Sequence, residues 1–215
     1  PALRLTLIKK VAEEAAQEQY PVYIVGGFVR DLILNRPSID FDIVVEGDAV
    51  RLANRLVQRY GGKITSHHRF GTAKWQIKGI KAGLSAAFDF SPDQANQLPD
   101  SLDLISARTE FYDHPTALPT VERSSIKLDL HRRDFTINTM ALRLDGRHFG
   151  ELYDYWNGYS DLQKRQIKVL HSLSFIDDPT RLIRAARFEQ RFKFAIENRT
   201  LQLMSEARPL IKQVS

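Results

Sequence analysis

Asp40 and Asp42 stand two residues apart in the apolar run Ile39-Asp40-Phe41-Asp42-Ile43-Val44-Val45. Such a run reads as a strand, and side chains at i and i+2 of a strand leave from the same face. Both carboxylates therefore converge on one small volume. Like charges so placed repel, and the arrangement is stable mainly with a cation between them or with good solvation. Just upstream lies Val25-Gly26-Gly27-Phe28-Val29-Arg30-Asp31, whose glycine pair lets a bulky anion approach the backbone. Metal-binding carboxylates beside a phosphate-tolerant turn point to nucleotide chemistry, although Asp-x-Asp alone also lines solvated strand faces. Magnesium takes oxygen ligands, usually one or two protein carboxylates plus substrate phosphates. Two such ions roughly 3.5–4 Å apart can activate an attacking hydroxyl and stabilise a leaving pyrophosphate. Asp103, polar within the apolar Leu102-Asp103-Leu104-Ile105, is the candidate third carboxylate.

Two further strings carry charge in useful patterns. In Arg132-Arg133-Asp134-Phe135-Thr136-Ile137-Asn138, the planar guanidiniums suit phosphate oxygens. Asp134 and Asn138 are four apart; on a helix they would share a face and could hydrogen-bond a ribose. The same string alone also reads as a solvated charge pair before a core helix. In Asp177-Asp178-Pro179-Thr180-Arg181, Asp before Pro marks a helix start, with either aspartate open as the cap. Arg181 falls one turn beyond Asp178, and Arg184 and Arg187 continue the row at spacing three. A carboxylate beside a guanidinium offers an acceptor next to a fork of donors. That matches cytosine and adenine, which present an amino donor next to a ring acceptor, and disfavours uracil and guanine. A cap with an i,i+3 ion pair is the plainer alternative.

The elements that must position these residues follow from periodicity. Leu5, Ile8, Val11, Ala12, Ala15 and Ala16 predict a helix over 4–19. Strands are expected at 21–25, 40–45, 64–66, 72–77 and 102–109. Helices are expected at 28–34 and at 49–60, the latter capped by Asp48 and ended by Gly61-Gly62. Residues 91–101 and 112–125 read as loops. From about residue 171 strand signals give way to helical periodicity. The fold class expected is α/β.

Composition sets the bounds. At 215 residues, 43% hydrophobic and 27% charged, the chain has the make-up of a soluble globular protein of one large or two small domains. No apolar run approaches the roughly 20 residues of a membrane span, and no signal peptide is evident. The absence of cysteine excludes disulfide and thiolate chemistry and favours a cytoplasmic address. A net charge of +5 is compatible with a polyanionic partner. The start at Pro1 and the stop at Ser215 suggest a piece of a longer protein. No P-loop, no Gly-x-Gly-x-x-Gly and no Ser-His-Asp pattern occurs. His67-His68 lacks a partner at metal-ligand spacing, and Phe111-Tyr112 could touch a base but reads better as turn packing.

The order and spacing of the strings say more than each alone. Val25-Gly26-Gly27-Phe28-Val29-Arg30-Asp31, Asp40-Phe41-Asp42, Arg132-Arg133-Asp134, Asp154-Tyr155-Trp156-Asn157-Gly158 with Asp161, and Asp178-Pro179-Thr180-Arg181 with Arg184 and Arg187 together resemble the bacterial class II tRNA nucleotidyltransferase and poly(A) polymerase family. The resemblance implies a polymerase-β-like palm with a mixed five-stranded sheet over residues 1–168, then a helical neck from 169 to 215. It implies transfer of CMP or AMP from CTP or ATP to the 3′ end of tRNA or another RNA, with Mg²⁺ at Asp40 and Asp42. It makes Asp103 the third catalytic acid and sets Gly26, Gly27 and Arg30 at the nucleotide. Arg133, with Asp134 and Asn138, would meet phosphates or ribose. Asp178 and Arg181 would be the protein template for C and A, with Arg184 and Arg187 on the triphosphate. The family usually has Glu-Asp where this chain has Asp177-Asp178, and Pro-aromatic-Gly or Pro-aromatic-Asn where it has Tyr155-Trp156-Asn157. The family also contains poly(A) polymerases, and a non-catalytic nucleotide- or RNA-binding module is the alternative of a different class.

Overall fold

A computed structural model describes residues 2–36, 41–88, 91–112 and 119–213. Helix α1 (Ala2–Gln17) leads into strand β1 (Val22–Val25), the short helix α2 (Gly27–Ile33) and strand β2 (Asp42–Val45). Helix α3 (Ala49–Tyr60) follows, with Asp48 accepting from the Arg51 amide at its start and Gly61 at φ 81° closing it. Its buried stripe of Ala49, Leu52, Ala53 and Leu56 has the three-and-four spacing of an amphipathic helix. Then come β3 (Lys63–His67), β4 (Thr72–Gln76), α4 (Lys81–Phe88), α5 (Pro92–Asn96) and β5 (Ser101–Ser106). A hairpin of β6 (Arg108–Phe111) and β7 (Thr120–Arg123) precedes α6 (Ile126–His131). Strands β8 (Met140–Arg143) and β9 (Leu152–Asp154) lead to α7 (Gly158–Gln163) and β10 (Gln166–Ile167). The chain continues through α8 (Ser174–Asp177), α9 (Thr180–Phe192), β11 (Ala195–Ile196) and α10 (Asn198–Ala207).

The main sheet has the strand order β3-β4-β5-β2-β1-β8-β9. Only β2 and β5 run parallel; the other neighbours are antiparallel, so the sheet is mixed. Strand alternation divides the core. Val22, Ile24, Ile43 and Val45 join the large cluster with α1 and α3, whereas Tyr23, Val25 and Val44 pack on Ile126 and Leu130 of α6. Asp42 shares the second face with Val44, and Asp103 shares it with Ile105. The carboxylates thus sit at the uncovered end of the sheet face that α6 partly covers.

Seven strands replace the five expected: β8 arises where the stretch after Asp134 also read as helical, and β9 where no element was expected. After Asp134 the chain makes a 3-10 turn over Thr136–Asn138 and then enters β8. The local side chains compete with a helix here. The Thr139 hydroxyl donates to the Thr136 carbonyl at 2.7 Å, and the Asp134 carboxylate accepts from the Phe135 amide at 2.8 Å. The strand expected over 102–109 is cut at Ala107, whose amide donates to the Val45 carbonyl and turns the chain into the hairpin. The expected loop at 91–101 contains α5, started by a capping box of Ser91 and Gln94. The expected loop at 112–125 holds β7, and residues 113–118 of it lie outside the described residues. In the helical region β11 pairs in parallel with β10. Among the described residues no helix is long and apolar enough to cross a membrane.

Candidate active site

The Gly26-Gly27 turn forms where β1 ends. Because β1 is antiparallel to β2, with Ile24 opposite Ile43, this turn lies at the same end of the sheet as Asp42, the first residue of β2. Asp42 and Asp103 are register partners on the parallel pair, so their side chains leave the same face of adjacent strands. Both line a groove of about 530 Å³ together with His67, Thr72 and Lys74. Lys74 Nζ lies 3.4 Å from Asp103 Oδ1, and both side chains are well solvated. Asp40 lies outside the described residues. Among the described residues no group of three or more His, Asp or Glu is arranged to hold a metal ion. Asp42 and Asp103 nevertheless supply the hard oxygen donors that magnesium takes, on one solvent-facing surface.

Gly26 adopts φ 69°, a conformation that favours glycine. A β-carbon there would fall 2.8 Å from Arg133 Nη1, so the missing side chain makes room for an arginine. Gly26 itself does not line the adjacent cleft, but Gly27 does. That cleft, about 370 Å³, also gathers Arg30, Arg132, Arg133, Asp134, Asn138, Asp178, Thr180, Arg181 and Arg184. Arg30 is buried and donates to Asn138 Oδ1 at 2.6 Å and to Asp31 Oδ1 at 2.9 Å, while stacking over Phe192 at 4.5 Å. Asn138 passes the contact on, its Nδ2 donating to Asp134 Oδ1 at 2.8 Å. Asp134 and Asn138 therefore meet as expected, through a 3-10 turn rather than a helix face. Asp134 also accepts from Arg184 Nε at 2.9 Å. The cleft and the carboxylate groove share no lining residue among those described.

Pro179 stands at the start of α9, so neither aspartate is its cap, and Asp178 lies just before it. Its Oδ1 accepts from the Thr180 amide at 3.0 Å and from the Thr180 hydroxyl at 2.6 Å. Asp177 lies instead in α8, 3.9 Å from His171. Arg181 Nε stands 3.7 Å from Asp178 Oδ2, so the acceptor and the fork are neighbours at the cleft wall. Arg187 is exposed on α9 and is not part of the cleft lining. The three-residue spacing drifts around the helix and carries it away.

Sequence reasoning missed the acidic girdle behind the arginines. Asp129, fully buried on α6, accepts from Arg132 Nε and Nη2, from Arg133 Nη2 at 3.0 Å and from the Arg108 amide. Burial alone would raise the Asp129 pKa, but Arg133 and Arg132 outweigh it and hold the carboxyl below its ordinary range. Glu110 accepts from Arg108, Arg132 and the Tyr112 hydroxyl. Burial and the adjacent Glu110 push the Tyr112 phenol up, so it stays protonated and donates. The one signal for Asp129 was its place in Ile126-Lys127-Leu128-Asp129-Leu130, three and four residues before the two arginines. Arg133 Nε is buried and has no hydrogen-bond partner among the described residues.

A third device holds the turn after β9. Asp154 accepts from the amides of Gly158 and Tyr159 at 2.8 and 2.9 Å, and Asn157 takes a left-handed conformation at φ 58°. Asp161 accepts from the Thr136 hydroxyl at 2.7 Å. A β-carbon at Gly158 would fall 2.2 Å from the Thr136 carbonyl oxygen, so only glycine lets α7 seat against the turn that carries Asn138.

Known proteins carry the same arrangement of elements. The poly(A) polymerase head domain matches residues 22–168. The chain is 44% identical over 209 residues to an A-adding tRNA nucleotidyltransferase of Geobacter sulfurreducens, covering 96% of this chain and 21% of that protein. It is 41% identical to an A-adding tRNA nucleotidyltransferase of Halalkalibacterium halodurans, covering 96% of this chain and 44% of the relative. Among solved structures, an apo form of a CCA-adding enzyme superposes with a TM-score of 0.83 at 41% identity, over 97% of this chain and 45% of that one. A Thermotoga maritima CCA-adding enzyme complexed with tRNA superposes at 0.77 with 39% identity, over 97% and 43%. The chain thus spans less than half the length of these relatives. With its polymerase-β-like sheet, its glycine turn and its arginine cleft, the chain belongs to the poly(A) polymerase head-domain family.

Proposed function

We propose that this chain is the head and beginning neck of an enzyme that adds AMP, and in some contexts CMP, to the 3′ end of tRNA. Residues 1–168 act as the nucleotidyltransferase head and 169–215 as the start of a helical neck, working in the cytoplasm. The observation that carries this reading is the placement of Asp42 beside Asp103 at the sheet end that also bears the glycine turn and the arginine cleft. The relatives at 44%, 41% and 41% identity are named A-adding tRNA nucleotidyltransferases, which favours ATP as the donor.

In this reading Arg30, Arg133 and Arg184 receive the triphosphate. Arg133 lines the cleft, and its Nε has no partner among the described residues, which leaves its guanidinium with donor capacity for a phosphate. Asp134 and Asn138 face the ribose, and Asp178 with Arg181 reads the donor–acceptor edge of adenine or cytosine. Arg187, exposed outside the cleft, would reach a triphosphate only by a change in side-chain conformation. Asp42 and Asp103, with Asp40, would hold Mg²⁺, which when bound supplies Lewis-acid activation of the attacking hydroxyl and neutralises the leaving pyrophosphate. Lys74, 3.4 Å from Asp103, would balance the acidic face while no cation is there.

The test is end-extension with the full-length protein on tRNA ending at the discriminator base, at C, or at CC, each with labelled ATP, CTP, GTP and UTP. The expected result is AMP addition to tRNA ending in CC. Long adenylate tracts on any RNA would instead identify a poly(A) polymerase. No incorporation by a folded, nucleotide-binding protein would favour a binding module.

A further inference from the structure

We propose that Ser174 is a positioning residue for nucleotide selection, fixing the orientation of Arg181 from behind the cleft. The inference rests on the reading of Arg181 as a base reader. Ser174 is fully buried at the start of α8, beside the large apolar Phe175. A buried hydroxyl needs a partner, and Ser174 Oγ accepts from Arg181 Nη1 at 2.7 Å. Arg181 Nη2 donates to the Arg132 carbonyl at 2.8 Å. Arg181 is itself buried at 5% exposure. Each terminal nitrogen of a guanidinium carries two hydrogens, so one on each is engaged from behind and one on each remains for a ligand.

The consequence is geometric. A guanidinium is planar, and two bonds to fixed acceptors define the plane and its rotation. The Arg132 carbonyl ties Arg181 to the end of α6, and Ser174 ties it to α8, so the fork bridges two separate segments beside the cleft residues Arg132 and Asp178. Asp178 is set by Thr180, and its other oxygen faces Arg181 Nε at 3.7 Å. Acceptor and donors are therefore held in one relative arrangement before a base arrives. Without the Ser174 hydroxyl, Arg181 would keep its phosphate-attracting charge but lose one of the two anchors that define its hydrogen-bonding edge. Discrimination among bases would suffer more than total nucleotide binding.

The experiment measures dissociation constants for ATP, CTP, GTP and UTP with Mg²⁺ by titration calorimetry. The proteins are the parent, Ser174→Ala, Arg181→Ala and the double variant, each checked for cooperative unfolding. In Ser174→Ala the preference for ATP over GTP is expected to fall about tenfold, the scale of one hydrogen bond to a charged group. In the Arg181→Ala background the same change is expected to add nothing, because the two residues act as one unit. Ser174→Cys, nearly isosteric with a weak acceptor, should fall between parent and alanine and serves if Ser174→Ala does not fold. An unchanged ATP/GTP preference in Ser174→Ala, or in Ser174→Cys where that variant is the one tested, with Arg181→Ala losing it, overturns the role of Ser174 alone. An equal loss of preference in both backgrounds also overturns it. Preference unaffected by Arg181→Ala removes the base-reading assignment itself, and the proposal with it.

Discussion

Arg133 lies across the backbone of Gly26, its Nη1 only 2.8 Å from where a β-carbon at position 26 would project. The glycine turn and the Arg-Arg-Asp string, over a hundred residues apart, are thus one structural unit. Gly26→Ala would meet both a positive φ and the displaced guanidinium. We expect a loss of about 1–3 kcal/mol of stability and a clear weakening of ATP binding. Urea unfolding and ATP titration check both; a variant with parental values in each would show that Arg133 yields at no cost.

Asp42→Ala and Asp103→Ala should remove nucleotide addition with little harm to the fold. Asp42 is exposed at the first position of β2, and the Asp103 side chain is 43% exposed. Substitutions at such sites change stability by about 0.5 kcal/mol or less. Extension assays in the full-length protein, with thermal unfolding alongside, decide the matter. Retained transfer in either folded variant would remove that carboxylate from the chemistry.

Asp129→Ala should damage the fold rather than only the reaction. The carboxylate is fully buried and answers two guanidiniums and one backbone amide. Removing it leaves Arg132 and Arg133 with uncompensated charge in a crowded place, at about 3–5 kcal/mol. Chemical denaturation would record it, and a loss below about 1 kcal/mol would mean that water or Glu110 takes over the role.

Stability should fall as pH drops through the ordinary histidine range. His131, its ring 4.4 Å from that of Trp156, and His171, 5.5 Å from His131, are both depressed below 6.5, chiefly by burial. For His171 Asp177 acts against this, while His131 and Arg181 add to it. With folded values below the unfolded ones, the unfolded chain binds protons first. Stability is therefore full above about pH 6.5 and declines as pH falls toward the folded values. His131→Phe should flatten that slope in a series of melts between pH 5 and 8; an unaltered slope would assign it to other groups.

Local pattern was enough for the elements whose signal lies in consecutive residues. Helix α3 runs over the residues its periodicity marks, with Asp48 as its cap, because capping and an apolar stripe are short-range effects. The pairing of type and spacing in Asp-x-Asp, Arg-Arg-Asp and Asp-Pro-Thr-Arg named the charged residues, and those of the described set other than Arg187 line one of the two cavities. What required the tertiary structure was everything decided across distance. The stretch after Asp134 looked helical, yet it becomes a strand because its Thr, Asp and Asn side chains satisfy the turn and β1 offers an open edge to Met140–Arg143. The register that sets Asp42 opposite Asp103 comes from sheet assembly, not from either strand alone. Asp129 offered only its spacing to the two arginines, and its burial among them follows only once α6 closes on the sheet. Residue type settles what a side chain can do; long-range packing settles which partners it meets, and a buried charge takes its meaning from those partners.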